Sequence, residues 1–368
     1  MTDKYKGRVG IIQRVLPRYR APFFDLLAAR CRGGLSVFAG EARPNEAIPS
    51  AEKLGRAKWW HTNNVHFFNG PFYVCYQTGL LDWLDDWKPD VLIVEANPRY
   101  LSTPAAIAWM RKAGRPVIGW GLGAPTTRGI FAGWRTRQRK RFLSQFDAII
   151  AYSQHGAVEY QALDYPAKRI FVAPNSVSAR PRGKPPNRLA RFAIRPTLLY
   201  VGRLQARKRL EHLLRACASL PAKIQPHLVI VGEGPARVEL QQLAKAVYPS
   251  TEWMGARYGK ELDRFFRQAD LFVLPGTGGL AVQQAMAHGL PVIVAEGDGS
   301  QEELVKPGNG WLVAPGNEPD LRAALIEAFS NPSRLRKMGE ASFRLVKKEF
   351  NLENMAAAFV QALNRVNA

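Results

Sequence analysis

Three stretches of this chain bring cations and glycines together in patterns that suit chemistry on a phosphate. In VGRLQARKRLEHLL (201–214), Gly202 permits a turn after an apolar run, and Arg203 and Lys208 follow before or at a helix start. Two cations beside a helix N-terminus form an anion site suited to a diphosphate; taken alone, the same residues also describe a solvated basic helix start. In IVGEGPARVELQQL (230–243), Gly232, Glu233 and Gly234 form a tight turn before an amphipathic pattern, without the G-x-G-x-x-G spacing of a dinucleotide fingerprint. In LFVLPGTGGLAVQQAMAHGLPVIVAEG (271–297), Gly276, Gly278 and Gly279 allow backbone N–H groups to approach a phosphate or a sugar closely. None of the 6 histidines has metal-ligand spacing, and His288 reads as a packing residue. The 3 cysteines, Cys31, Cys75 and Cys217, are too far apart for a metal cluster and read as buried apolar groups. No metal or cofactor is therefore expected.

These residues need elements to position them. Apolar runs at 8–13, 35–40, 65–68, 91–96, 116–121, 148–153 and 170–175 form one block, and runs at 197–202, 227–232, 271–276 and 291–296 form another. Helical patterns such as 21–31, 209–220 and 280–289 lie between them. The runs are apolar on both faces, which predicts buried parallel strands, and the alternation predicts an α/β doubly wound fold. A length of 368 residues fits two such domains. The Pro- and Arg-rich stretch 179–196 reads as a linker, so the first domain spans 1–178 and the second 197–349, with a helical tail broken at Asn331-Pro332. Two tandem doubly wound domains are expected to face each other across a cleft lined by strand ends, where ligands bind.

The motifs VGRLQARKR, VGEGP, WMG (253–255), ADLFVLP (269–275) and QAMAHGLPVI (284–293), preceded by PNSV (174–177), resemble in order and spacing the C-terminal half of glycosyltransferase family 4. LPRYRAPFFDLL (16–27) resembles more loosely the start of members that glycosylate lipid-linked or polysaccharide acceptors. The resemblance implies a retaining enzyme of GT-B architecture, with two Rossmann-like domains. The C-terminal domain would bind a nucleotide-sugar donor and the N-terminal domain an acceptor, with a helix over 350–368 packing back on the latter. By motif position, Arg203 and Lys208 would hold the donor diphosphate as the catalytic pair. Gly202, Glu233 and Gly234 would lie near the nucleoside and diphosphate. Gly276, Thr277, Gly278, Gly279 and Leu280 would face the transferred sugar. The sequence departs from the family where two glutamates are usual, near the sugar and near the ribose: Gly276 and Gln284 stand there. Gln284 keeps a hydrogen-bonding amide. On the acceptor side, Arg18, Tyr19 and Arg20 follow the first strand, Glu95, Asn97 and Arg99 follow VLIVE, and Trp120 follows VIG. Glu95 is open to three roles: base, anchor for an acceptor hydroxyl, or structural partner of Arg99.

The charge is unevenly spread. The net charge is +22, and residues 96–146 and 165–210, which lack Asp and Glu, hold ten and twelve basic residues, the whole excess. Charge this localised points to anionic partners at particular surfaces. Helix-turn-helix, zinc and RNP-type signatures are absent, so no nucleic-acid partner is expected. Within 128–146, Phe131, Trp134, Phe142 and Gln145 would fall along one side of a helix, with Arg135, Arg137, Arg139, Lys140 and Arg141 over much of the remainder. That pattern suits an anionic membrane surface, and a core-packed helix with a solvated basic face is the alternative. The aromatics at 59–60 and 67–76 are expected mostly in the core. The N-terminus does not read as a signal peptide. The combined expectation is a hexosyltransferase-type enzyme of cell-envelope glycan synthesis, cytoplasmic and peripheral on the inner face of the plasma membrane. The other class kept open is a catalytically silent scaffold of the same fold.

Overall fold

The computed structural model describes residues 4–46, 48–126 and 129–367. It divides into two compact units, 1–177 with 352–368, and 178–351.

The first unit contains β1 (Val9–Val15), β2 (Leu35–Gly40), β3 (Lys58–His61), β4 (Asn64–Phe67), β5 (Val74–Gln77), β6 (Val91–Glu95), β7 (Val117–Gly121), β8 (Ala148–Ala151) and β9 (Ile170–Val172). Seven of these form a parallel sheet in the order β3-β2-β1-β6-β7-β8-β9. The apolar runs are buried on both faces because helices cover both. Val9 and Ile11 join one core with the helices Ala21–Ala28 and Leu352–Val366. Ile12 and Leu92 join the other, with Leu80–Trp87 and Thr103–Lys112. The run at 65–68 is a correction to the sequence reading. It belongs to the antiparallel hairpin of β4 and β5, outside the main sheet. Its alternation of partly buried and exposed residues is the mark of a one-sided strand.

The second unit contains β10 (Thr197–Val201), β11 (His227–Val231), β12 (Glu252–Trp253), β13 (Leu271–Leu274), β14 (Val292–Ala295) and β15 (Gly310–Val313). They form a parallel sheet in the order β12-β11-β10-β13-β14-β15. The tail breaks at Asn331, whose side chain accepts the Arg334 N–H at 2.9 Å and caps the helix Pro332–Lys348. The stretch 179–196 has no helix or strand, yet it is not a loose tether. Arg188 donates to the carbonyls of Phe266 (2.9 Å), Ala269 (2.5 Å) and His288 (3.2 Å), which ties the stretch to the second unit.

Candidate functional site

The loops after β10, β11 and β13 are laced together at the carboxyl edge of the second sheet. Leu204 N–H donates to the Glu233 carbonyl at 2.9 Å, and Ala236 N–H donates to the Leu204 carbonyl at 3.0 Å. Gly234 has φ +158°, and a Cβ there would run into the Leu204 carbonyl, so the approach of the two loops requires glycine. Arg203, Arg207 and Lys208 follow β10. Lys208 is buried in the one-turn helix Ala206–Lys208 and donates from Nζ to the Thr277 carbonyl of the glycine loop. That loop is held from both sides. Thr277 N–H donates to the Arg207 carbonyl at 3.2 Å, and Gln301 Nε2 donates to the Gly278 carbonyl at 3.0 Å.

Arg207 was not singled out in the sequence, because the family pattern leaves its position open. The structure places it in the cluster, with Nη1 3.3 Å from the Thr277 hydroxyl and Nε 3.1 Å from Gln205 Oε1. Burial pushes the Lys208 ammonium down to about 8, and the Arg207 and Arg203 guanidinium groups push in the same direction. Burial and Arg203 also lower Arg207. A cluster of one sign at the end of a parallel sheet is preorganised to receive an anion with several charges. Arg209 stands where the family pattern ends in glycine, and its φ of +53° is one that glycine adopts without strain.

Gly276 explains one departure. A Cβ there would collide with the Arg207 carbonyl and lie 2.6–2.7 Å from the Lys208 backbone, so a glutamate does not fit this loop as it stands. Thr277 is exposed, and Gly278, Gly279 and Leu280 are half-buried beside it. Gln284 lies half-buried on the helix Leu280–Ala287, and its carbonyl accepts from His288 Nδ1 at 2.8 Å. His288 stacks on Phe266, a packing role as the sequence implied. Glu233 pairs with Arg237 one turn on, at the start of the helix Arg237–Val247.

The acceptor-side residues of the sequence reading are scattered in the first unit. Trp120 is a correction: it is core, 1% exposed, edge-on to Phe359 at 5.0 Å and to Tyr152 at 5.4 Å. Arg20 is a second correction. It is buried, donates to Asn175 Oδ1 at 2.6 Å and to the Ser176 carbonyl at 3.3 Å, and covers the Trp120 ring. It anchors chain segments to one another. Arg18 and Tyr19 are exposed after β1. Asn97 makes a local turn by accepting the Arg99 N–H at 3.1 Å, and Arg99 is exposed. Glu95 is not the partner of Arg99. It ends β6 half-buried and accepts the backbone N–H of Arg14 at 3.3 Å, where β1 carries a bulge. Burial raises its carboxyl, against the lowering effects of Arg14, Tyr100 and Arg20. The Arg14 guanidinium forks onto both oxygens of Glu46 at 2.9 and 3.0 Å. Arg14, Glu46 and Tyr100 carry no motif, and their grouping comes from tertiary contacts.

The basic stretch forms the helix Ala132–Leu143; its first residue, Arg128, lies outside the described residues. The expected stripe is split. Phe142 packs on Phe146 at the core, whereas Phe131 and Trp134 are exposed, with Ile130 98% exposed beside them. Arg139 donates to the Pro125 carbonyl and Lys140 pairs with Asp164. Arg135, Arg137 and Arg141 lie on the same helix, none of them buried. Among the described residues no helix is long and apolar enough to cross a membrane.

Known proteins align with both halves. Residues 186–344 match the model of Glycosyl transferases group 1, and residues 40–180 match that of Glycosyltransferase Family 4. A GDP-mannose-dependent alpha-mannosyltransferase of Mycobacterium tuberculosis is 36% identical over 140 residues, which are 36% of this chain and 35% of that protein. The chain spans about a third of the length of the curated relatives that head the comparison. A glycogen synthase of the same organism is 27% identical over 301 residues, 75% of this chain and 68% of that one. The Anabaena protein HepE, solved in complex with UDP, superposes with a TM-score of 0.72 at 16% identity, covering 97% of this chain and 99% of that one.

Proposed function

Because the chain belongs to glycosyltransferase family 4 and has the GT-B fold, we propose that it is a retaining glycosyltransferase that takes a nucleotide-diphosphate-sugar donor in its second unit. The observation that carries this reading is the cluster of Arg203, Arg207 and Lys208 against the glycine loop. Transfer forms a bond from an acceptor hydroxyl oxygen to the anomeric carbon and breaks the bond between that carbon and the diphosphate; the electron pair leaves with the diphosphate, which takes up the hydroxyl proton. Cations already in place at that oxygen lower the barrier without reorganising. Arg203 and Lys208 are the catalytic pair, with Glu233, Gly234 and Gln284 on the nucleoside side. Direct positioning and leaving-group stabilisation do not require a glutamate at position 276.

The acceptor is a lipid-linked or polysaccharide glycan of the cell envelope, met by the first unit at the inner face of the plasma membrane. Support for this reading comes from the exposed Ile130, Phe131 and Trp134 beside the basic helix. A thermal-shift and calorimetric screen against GDP-, UDP- and ADP-sugars tests the donor reading; the first two are chosen because relatives and fold neighbours carry those names. Saturable binding followed by sugar transfer is expected. Gly276 favours one second reading, a silent scaffold of the same fold, and binding without transfer or hydrolysis would establish it.

A further inference from the structure

The hairpin of β4 and β5 presents an exposed apolar face. Its inward residues are well held. Asn64 Nδ2 donates to the carbonyls of Arg14 (2.7 Å) and Glu41 (2.8 Å), and Gln77 Nε2 donates to the Gln13 carbonyl at 3.1 Å. The outward residues alternate with these, and in the register Val65 faces Tyr76 and Phe67 faces Val74. Val65, Phe67 and Tyr76 are exposed, and at the tip Phe68 is 73% and Phe72 78% exposed. The expectation that these aromatics fill a core is thereby corrected. Phe68 has φ +57°, a backbone region that bulky side chains rarely enter. Residues 62–79 contain no Asp, Glu, Lys or Arg.

The chemistry of the face selects its occupant. A saccharide platform needs several outward hydrogen-bonding groups; among the outward strand positions 65, 67, 74 and 76 only Tyr76 carries one, and at the tip the oxygen of the exposed Asn69 accepts from Arg43 Nη1 at 3.1 Å, whereas unadorned phenyl rings fit hydrocarbon. The surroundings select the sign of the headgroup. The Arg99 carbonyl accepts the Cys75 N–H at 2.9 Å, which puts the exposed Arg99 beside the hairpin. The acid-free segment 96–146, with its ten basic residues, begins there. The hairpin is fastened past the ends of β1, β2 and β6, and the same unit exposes Ile130 and Phe131 just before the basic helix Ala132–Leu143. We propose that the hairpin Asn64–Gln77 is a membrane-insertion element that seats Phe68 and Phe72 in the hydrocarbon boundary of an anionic bilayer. The proposal rests on the membrane reading of the basic helix and adds a second, uncharged point of entry.

The test uses the full chain with phosphatidylcholine vesicles, alone or with roughly one third phosphatidylglycerol. Phe68→Asn with Phe72→Ser removes the apolar tip, and asparagine tolerates the left-handed backbone. Affinity for the anionic vesicles is expected to fall about tenfold or more with its salt dependence unchanged. Replacing Arg135, Arg137, Arg139, Lys140 and Arg141 with Gln is expected instead to flatten the salt dependence. A polarity-sensitive fluorophore on Phe72→Cys reports the tip directly, since Cys31, Cys75 and Cys217 are buried; a blue shift on adding anionic vesicles is expected. If the parent protein binds vesicles while the tip variant binds as well and the label stays unshifted, the hairpin proposal fails and the basic-helix reading stands. If the parent protein ignores both kinds of vesicle, both fall. Loss of self-association in the tip variant, without a vesicle effect, would make the hairpin a protein interface and overturn the proposal.

Discussion

Two ionic clusters sit past the ends of the two parallel sheets, and they are built on opposite plans. In the second unit, Arg203, Arg207 and Lys208 lie within six residues of one another, and the charges acting on Lys208 are cations. In the first unit, Arg14, Glu46 and Glu95 come from distant parts of the sequence and satisfy one another. Like charges packed together oppose folding and favour an arriving anion; opposite charges packed together hold the fold and leave little for a ligand. The contrast separates a site that awaits something from a strut that is complete.

Removing the strut is the largest expected effect. Glu46→Ala strands the forked, largely buried Arg14 guanidinium and is expected to cost about 3 kcal/mol of stability, with donor affinity unchanged in calorimetry. Arg14→Met with Glu46→Leu should recover most of that loss. Burial alone would raise the Glu46 carboxyl, but the hydrogen bonds from Arg14 and the Arg43 backbone, and both charges, outweigh it and hold it low. Its contribution is therefore complete above the ordinary value of 4.5 and disappears as acidification passes its lowered value. An acid melting series on parent and variant checks this sign.

The second unit should respond in the reverse manner. Lys208→Ala and Arg203→Ala are each expected to weaken donor binding by roughly 1.5–3 kcal/mol and to abolish most transfer, while neither variant melts earlier than the parent. If Lys208→Ala instead melts early and binds normally, the two clusters are the same kind of object. A smaller effect sharpens the contrast through pH. Lys208 titrates near 8 when no anion is bound, so donor affinity should be flat below that pH and fall above it by up to about tenfold per unit. The unfolded chain keeps this proton up to the ordinary 10.5, so stability of the donor-free protein should rise from pH 8 to 10.5, the same direction with pH as the Glu46 effect but for the opposite reason: the fold disfavours the charged lysine and favours the charged glutamate. Arg207→Gln should move both limbs to higher pH by relieving a cationic neighbour. The smallest effect concerns Gln284. Gln284→Ala should weaken donor binding by about 1 kcal/mol, and Gln284→Glu should keep or improve it, because ionised acceptors bond more strongly. Unchanged titrations for both would make Gln284 an ordinary helix residue.

The same contrast explains what the sequence disclosed. Residues 201–208 and 271–284 carry their chemistry in local spacing, and strands apolar on both faces betray a parallel sheet, so the fold class and the cation pair were legible. Arg14 and Glu46 lie 32 residues apart, and their pairing leaves no periodic trace. Trp120 reads as a cleft-facing acceptor residue because it follows VIG and precedes glycines, yet it lies within β7 and packs in the core. The strands β3, β12 and β15 were missed because they are short and border polar residues. The hairpin was misread for the opposite reason: composition alone cannot distinguish aromatics that fill a core from aromatics that stand outside one.

The helix Leu352–Val366 supplies Met355, Phe359, Val360 and Leu363 to the core of the first unit, against Phe23 and Trp120. This arrangement reverses the order of maturation during synthesis. The second unit is continuous in sequence and complete once residue 351 has left the ribosome. The first unit waits through those intervening 174 residues, roughly 9 to 35 s at ordinary elongation rates, with one side of its sheet covered by Ala21–Ala28 but lacking Leu352–Val366. For that interval the nascent chain displays Phe23, Phe24 and Leu27 to the ribosome exit and its chaperones, and the unit emerging first is the one that finishes folding last.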